Sequence, residues 1–201
     1  VSLIAVRPLT NIAAALRREP SIAGAVRECV IMGGAYGPGN VTQTTEFNIF
    51  VDPEAAAIVF GAPWSVTMVG LDVTHQAGCG ADVQKRIEDL GSPVGAFVGD
   101  LLRFYRGAYQ CQTGLTGPLI HDAYAVAYAL APENFETRAA AVDVELAGSW
   151  TSGTTLVHFV REGDRVVAAR GHDFETRHRV PVHIDSGALF ELMVDALSRL
   201  S

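Results

Sequence analysis

Cysteine is scarce here, and positive charge nowhere accumulates. Only three cysteines occur in 201 residues, Cys29, Cys79 and Cys111, odd in number and far apart. Without a CxxC pair there is neither a zinc ribbon nor a disulfide framework, and a reducing, cytoplasmic setting is expected. Fifteen Lys and Arg stand against 22 Asp and Glu with no basic run, so a nucleic-acid groove is not expected. No apolar run is long enough to span a bilayer, and no signal peptide is visible. Repeats, low-complexity tracts and linkers are also missing. What remains is small polar substrates or protein partners, on a chain whose hydrophobic share of 49% suits a sizeable core.

The hydrophobic pattern alternates between strand-length runs and helical stripes. "VSLIAV" (1–6) predicts a buried strand covered on both faces. It opens the chain with no initiator Met and no lead-in, which suggests a fragment of a longer sequence. "PLTNIAAALRREP" predicts a helix capped by Thr10 or Asn11 and ended by Pro20. A short helix, "SIAGAVREC", leads into a second buried strand, "VIMGG", completing a βαβ unit. After the loop "GGAYGPGNVTQTTEFN", "DPEAAAIVF" starts a helix with Asp52 as N-cap, Pro53 in its first turn and Glu54 on the dipole. "SVTMVGLDVT" predicts a third strand, "DVQKRIEDLG" a helix ended by Gly91, residues 93 to about 109 a longer helix, and "HDAYAVAYALAP" an Ala-rich one. Strands "AAVDVEL", "TTLVHFV" and "RVPVHID" and a closing helix "GALFELMVDALSRL" follow. The expected fold is α/β, a mostly parallel sheet with flanking helices and ligand loops at the carboxyl strand ends.

Three constellations carry possible chemistry. In "TTEFNIFVDPEAA" a strand-like run follows Glu46 and Asn48; read as extended, it puts these two side chains on one face and Phe47 on the other. With Asn40 they make donors and acceptors suited to sugar hydroxyls, or else an ordinary polar turn. In "PLIHDAYAVAYAL", Asp122 at a helix start either caps it or holds a hard cation, and His121 has a proton-carrying imidazole. Tyr105 and Tyr109 continue an apolar helical stripe, and suit either core packing or contact with a base.

Together, "PLTNIA", "IMGGAYGPGNVTQTTEFNIFVDPEAA", "GLDVTHQ" and "GPLIHDAYAVAYALAP" closely resemble the nucleoside hydrolases of the inosine–uridine-preferring family, over nearly the whole chain. The resemblance implies their Rossmann-like fold, incomplete at the N-terminus, with 1–201 as the C-terminal part of one domain. It implies hydrolysis of the N-glycosidic bond of ribonucleosides to ribose and free base, with Ca²⁺ as cofactor. Asn40 and Glu46 match the family's contacts to the ribose 5′-hydroxyl, and Asn48 its contact to the 2′,3′ side. On that reading Phe47 anchors the pair in the core. Met32 matches a residue packed beside the sugar, His121 a leaving-base contact, Asp122 a calcium ligand and Val6 a backbone-carbonyl ligand. Tyr105 and Tyr109 match base-side tyrosines of members that accept both purines and pyrimidines. A homo-oligomer, dimer or tetramer, is expected, with a nucleoside as substrate and neither nucleic acid nor membrane as partner.

Two departures stand out. The family's DxDxxxDD cluster, source of most calcium ligands and of the general base, is not found in these 201 residues. Arg7 stands where the family usually has Gly before Pro-Leu; if the backbone there needs φ > 0, Arg is strained and disturbs the Val6 carbonyl. Catalytic inertness of the chain by itself follows as the alternative expectation.

Overall fold

A strand flanked by sheet on one side only must leave one edge open, and this decides the status of "VSLIAV". In the computed structural model β1 (Ser2–Ala5) lies at the end of a six-stranded sheet of order β1-β2-β3-β8-β4-β5. Residues 1–113, 117–160, 166–167, 173–174 and 177–200 are described, with backbone alone at 109–113, 166–167 and 173–174. Strand β1 is not covered on both faces as its composition suggests, for Ile4 is 37% exposed. Among the described residues only β2 (Glu28–Met32) pairs with it, in parallel.

The sheet is mostly parallel, as expected. β2 pairs with β3 (Val66–Val69), and β3 with β8 (His178–Ile184), all in parallel. β4 (Phe135–Val144) and β5 (Thr155–Phe159) extend it antiparallel. Two short strands, β6 (Val166–Val167) and β7 (Asp173–Phe174), pair separately. Alternation on β2 feeds two cores: Cys29 and Ile31 pack on one face, Val30 and Met32 on the other. The first core includes α1 (Thr10–Arg18) and α4 (Pro53–Gly61) through Leu16, Val59 and Phe60. Between them in sequence lie α2 (Ile22–Ala25) and α3 (Phe47–Val51).

The second core includes α6 (Ala81–Glu88), α7 (Pro93–Thr113), α8 (His121–Leu130) and α9 (Ser186–Ser198), through Ile87, Leu102, Tyr124 and Leu189. Of the apolar stripe on α7, Leu102 is buried while Phe97 and Leu101 are exposed, so core packing accounts for only part of it.

Side-chain caps start α3, α4 and α9. Asp52 Oδ1 accepts from Ala55 N at 3.0 Å, the expected cap of α4. Neither Thr10 nor Asn11 caps α1. Thr10 is already inside the helix, and its hydroxyl donates to Asp52 Oδ2 at 2.5 Å, tying α1 to the start of α4. The third strand is shorter than "SVTMVGLDVT" suggests. It stops at Val69, and Leu71–Thr74 form a helical turn, α5, entered through the extended Gly70.

His178 supplies a pH prediction. Its Nδ1 accepts from Val66 N at 3.2 Å, which requires an unprotonated nitrogen. Burial pushes its pKa down to about 4, with Arg177 adding to the effect. Between the ordinary value of 6.5 and about 4 the unfolded chain therefore binds a proton that the folded chain refuses. Stability should fall as pH drops through that window, by on the order of 3 kcal/mol in full. Urea midpoints from pH 7 to 5 check this; a flat profile contradicts it.

Candidate active site

The residues singled out as sugar contacts gather at the carboxyl end of the parallel strands. The carbonyl of Met32, last residue of β2, accepts from Asn48 Nδ2 at 3.0 Å, and the Met32 sulfur lies 3.6 Å from the same nitrogen. Asn48 is buried, as is Glu46, only 2% exposed. Their shared surroundings do not come from an extended segment. Glu46 is extended, but the chain turns into α3 at Phe47, with the Glu46 side chain as its N-cap. Oε1 accepts from Asn48 N at 2.9 Å, and Oε2 from Ile49 N at 3.2 Å and Gly34 N at 3.0 Å. Asn40 Oδ1 completes the helix start by accepting from Phe47 N at 3.0 Å.

The anchor is also a different residue. Phe47 is 49% exposed, whereas Ile49 is fully buried. A helical turn reverses which neighbours share a face, because three and four residues separate partners there rather than two.

Glu46 has two opposing influences. Burial raises its pKa and the charge of Asp122 adds to this, while the three backbone N–H donors lower it; the net direction is up.

Asp122 sits in the first turn of α8, and α8 packs on β1 and β2. Burial raises its pKa and Arg7 lowers it, with a net upward shift. Tyr105 on α7 feels Asp122 in turn: burial and then that carboxylate push its phenol up. Tyr105, His121 and Asp122 line one cleft of about 250 Å³ with Leu119, Ile120 and Ala123. Asn40, Glu46 and Asn48 are not among its walls. The side chain of Tyr109 lies outside the described residues.

His121 is held from behind. Its Nδ1 lies 2.7 Å from Thr74 Oγ1 of α5, and its ring meets that of His75 at 5.6 Å between centroids, tilted by 58°. Burial pushes its pKa down to about 4, with His75 adding to the effect. Asp72, one turn before His75, accepts from Tyr36 N at 2.8 Å and pins the loop that leads to Asn40.

Arg7 is not strained, since no non-glycine residue has positive φ among those described. The two positions expected to hold a cation, the Val6 carbonyl and Asp122, are fewer than Ca²⁺ requires. Val6 is half-buried beside the second core, and no group of three or more His, Cys, Asp or Glu able to hold a metal exists among the described residues.

Several positions in this arrangement are not evident from residue type alone. Thr74, His75 and Asp72 all lie in the "GLDVTHQ" segment, whose Asp-Val-Thr-His run was the available signal. Thr155 had none. Its hydroxyl donates to the carbonyl of Ala35 at 2.6 Å and accepts from Ala35 N at 2.9 Å, across 120 positions.

Comparison with known proteins decides the family. The description "Inosine-uridine preferring nucleoside hydrolase" matches residues 1–191. This chain belongs to the inosine-uridine preferring nucleoside hydrolase family. It is 42% identical over 200 residues to the inosine-uridine preferring nucleoside hydrolase of Leishmania major, covering all of this chain and 60% of that protein. To the pyrimidine-specific ribonucleoside hydrolase RihB of Escherichia coli it is 41% identical over 156 residues, 78% of this chain and 50% of the relative. The purine-preferring ribonucleoside hydrolase of Gardnerella vaginalis superposes with a TM-score of 0.84 at 35% identity, over 99% of this chain and 62% of that one. The chain thus spans less than two thirds of the length of these nucleoside hydrolases. Their names differ in base preference, so family membership alone sets none.

Proposed function

We propose that this chain carries the ribose grip and base contact for hydrolysis of the N-glycosidic bond of ribonucleosides, inosine- and uridine-like, to ribose and free base. The observation that carries this reading is the buried Glu46–Asn48 pair at the carboxyl end of β2, within electrostatic reach of Asp122. Asn40, Glu46 and Asn48 would hold the ribose hydroxyls, with Met32 beside the sugar. Their fixed backbone bonds support that role, since a grip organised before binding loses less entropy. Binding energy from the sugar then lowers the barrier at the glycosidic carbon if it strengthens as the ring flattens. Tyr105, Tyr109 and His121 would face the base.

The metal needs separate treatment. The Val6 carbonyl and Asp122 give at most three oxygens, whereas Ca²⁺ takes six to eight. The residues present therefore do not fit the ion by themselves. In our reading Ca²⁺ binds with Val6 and Asp122 as two of its ligands only where further carboxylates complete the sphere. The second reading, a catalytically inert fragment or remnant that folds or associates without turnover, is favoured for the 201 residues alone by that same shortage among the described residues.

The test compares this chain with a longer one carrying an in-frame DxDxxxDD segment. Millimolar-range Ca²⁺, excess inosine and uridine, and detection of reducing sugar are used. Release by the longer chain only is expected. Turnover on the order of 1 per second by the 201-residue chain overturns the assignment of water activation. In the active form, changing Tyr105 and Tyr109 to Phe should alter the inosine-to-uridine ratio; an equal loss for both substrates marks them as core residues.

Other features of the reading are proposals too. The exposed Phe97, Leu101 and Phe104 on α7 support a homo-oligomer. Cys29 and Cys79, free and buried, support a cytoplasmic setting. No helix among the described residues is long and apolar enough to cross a membrane.

A further inference from the structure

Thr74 has no accessible surface and no role in the ribose grip, yet it reaches across to α8. Its single hydroxyl hydrogen has two acceptors within range. One is the Leu71 carbonyl at 3.4 Å, long for an O–H bond and already accepting from His75 N at 2.9 Å. The other is Nδ1 of His121 at 2.7 Å, the usual distance for a strong hydroxyl bond. Donation to His121 gives the hydroxyl its shorter bond, whereas the reverse arrangement, with Nδ1–H donating to Thr74, leaves the hydroxyl only the long contact to Leu71. A neutral imidazole that accepts at Nδ1 carries its own hydrogen on Nε2. The His75 ring packs beside the imidazole at 5.6 Å between centroids.

We propose that Thr74 is a positioning residue that locks His121 in the Nε2–H form, making it a neutral hydrogen-bond donor to the departing base. This rests on the assignment of His121 to the base side of the site. The chemistry follows from where charge goes. As the glycosidic C–N bond breaks, its electron pair stays with the base, and negative charge spreads onto the ring nitrogens and carbonyl oxygens. A donor already aimed there stabilises that charge without a proton having to move.

The experiment reads the tautomer directly. Long-range ¹H–¹⁵N correlation spectra of the histidine rings are recorded for the 201-residue chain, Thr74→Ser and Thr74→Val, with His121→Gln identifying the His121 signals among the six histidines. The wild type and Thr74→Ser should show His121 in the Nε2–H form alone. Thr74→Val, similar in shape but without the hydroxyl, should show a mixture of both forms. Inosine binding should weaken about tenfold in Thr74→Val, the weight of one hydrogen bond, and recover in Thr74→Ser, while D-ribose binding stays constant. An Nδ1–H form in the wild type overturns the proposal even if Thr74→Val fails to fold. So does a Thr74→Val spectrum matching that of Thr74→Ser. The tautomer readout needs no nucleoside. Absence of inosine binding in every chain, with the tautomers as expected, counts against the hydrolase reading and not against Thr74.

Discussion

Replacing Glu46 with alanine should cost about 1.5–5 kcal/mol of stability and remove nucleoside binding. Two contributions add. Loss of an N-cap acceptor costs roughly 0.5–2 kcal/mol, and leaving a buried N–H such as that of Gly34 without its partner costs about 1–3 kcal/mol. Glu46 is 2% exposed, so water does not readily take its place. Glu46→Gln separates the two functions of the side chain. One amide oxygen still accepts, so the fold should survive with about half the loss, but the charge is gone. Urea denaturation of both variants, beside titration with inosine, measures this. A Glu46→Ala chain as stable as wild type would show that the carboxylate does not organise α3.

The second large effect is expected at Gly34. Its φ of +78° lies where L-residues pay for their Cβ, roughly 1–2 kcal/mol. A Cβ there would stand 2.7 Å from the Met68 sulfur and 3.1 Å from Thr155 Oγ1. Met68 is fully buried in the core, so relief requires repacking, at roughly 1–3 kcal/mol. Gly34→Ala should therefore lose about 2–5 kcal/mol. It should also displace the amide that holds Glu46. Gly91 is the control: its φ is +65°, but a methyl group there would meet nothing within 4 Å, so Gly91→Ala should lose only about 1–2 kcal/mol. Equal losses at the two sites would mean that crowding by Met68 and Thr155 contributes nothing.

What sequence could reveal here follows the range of the interaction responsible. The α/β class and parallel β1–β2–β3 arrangement came from continuous apolar runs alternating with helical stripes. The Asp52 cap came from a three-residue signal. The family came from short motifs, and those motifs contain every proposed sugar contact. What stayed hidden was set at longer range or by a change of period. "FNIFV" has a strand's composition, yet Glu46 capping and Ile49 burial make it helical. The same holds for "LDVT" after β3, where the chain leaves the sheet at Gly70. Thr10 would cap α1 by residue type, but Asp52 engages its hydroxyl instead. Residue type at 155 gives no hint that its hydroxyl closes on Ala35. Arg7 looks strained only if a positive φ is assumed, and the backbone does not adopt one.

The proposed function rests on one claim, that a ribonucleoside would bind at the carboxyl end of β1–β3, gripped by buried polar groups fixed before it arrives. The most direct test is an amide ¹H–¹⁵N titration of the 201-residue chain with inosine, with D-ribose alongside. Saturable shifts should concentrate at Gly34, Asn40, Glu46 and Asn48 with both ligands, and extend to His121 and Asp122 with inosine only. Shifts confined to the groove between α1 and α4, lined by Leu16, Arg17 and Ile58, or no saturable shift with either ligand, would contradict the account.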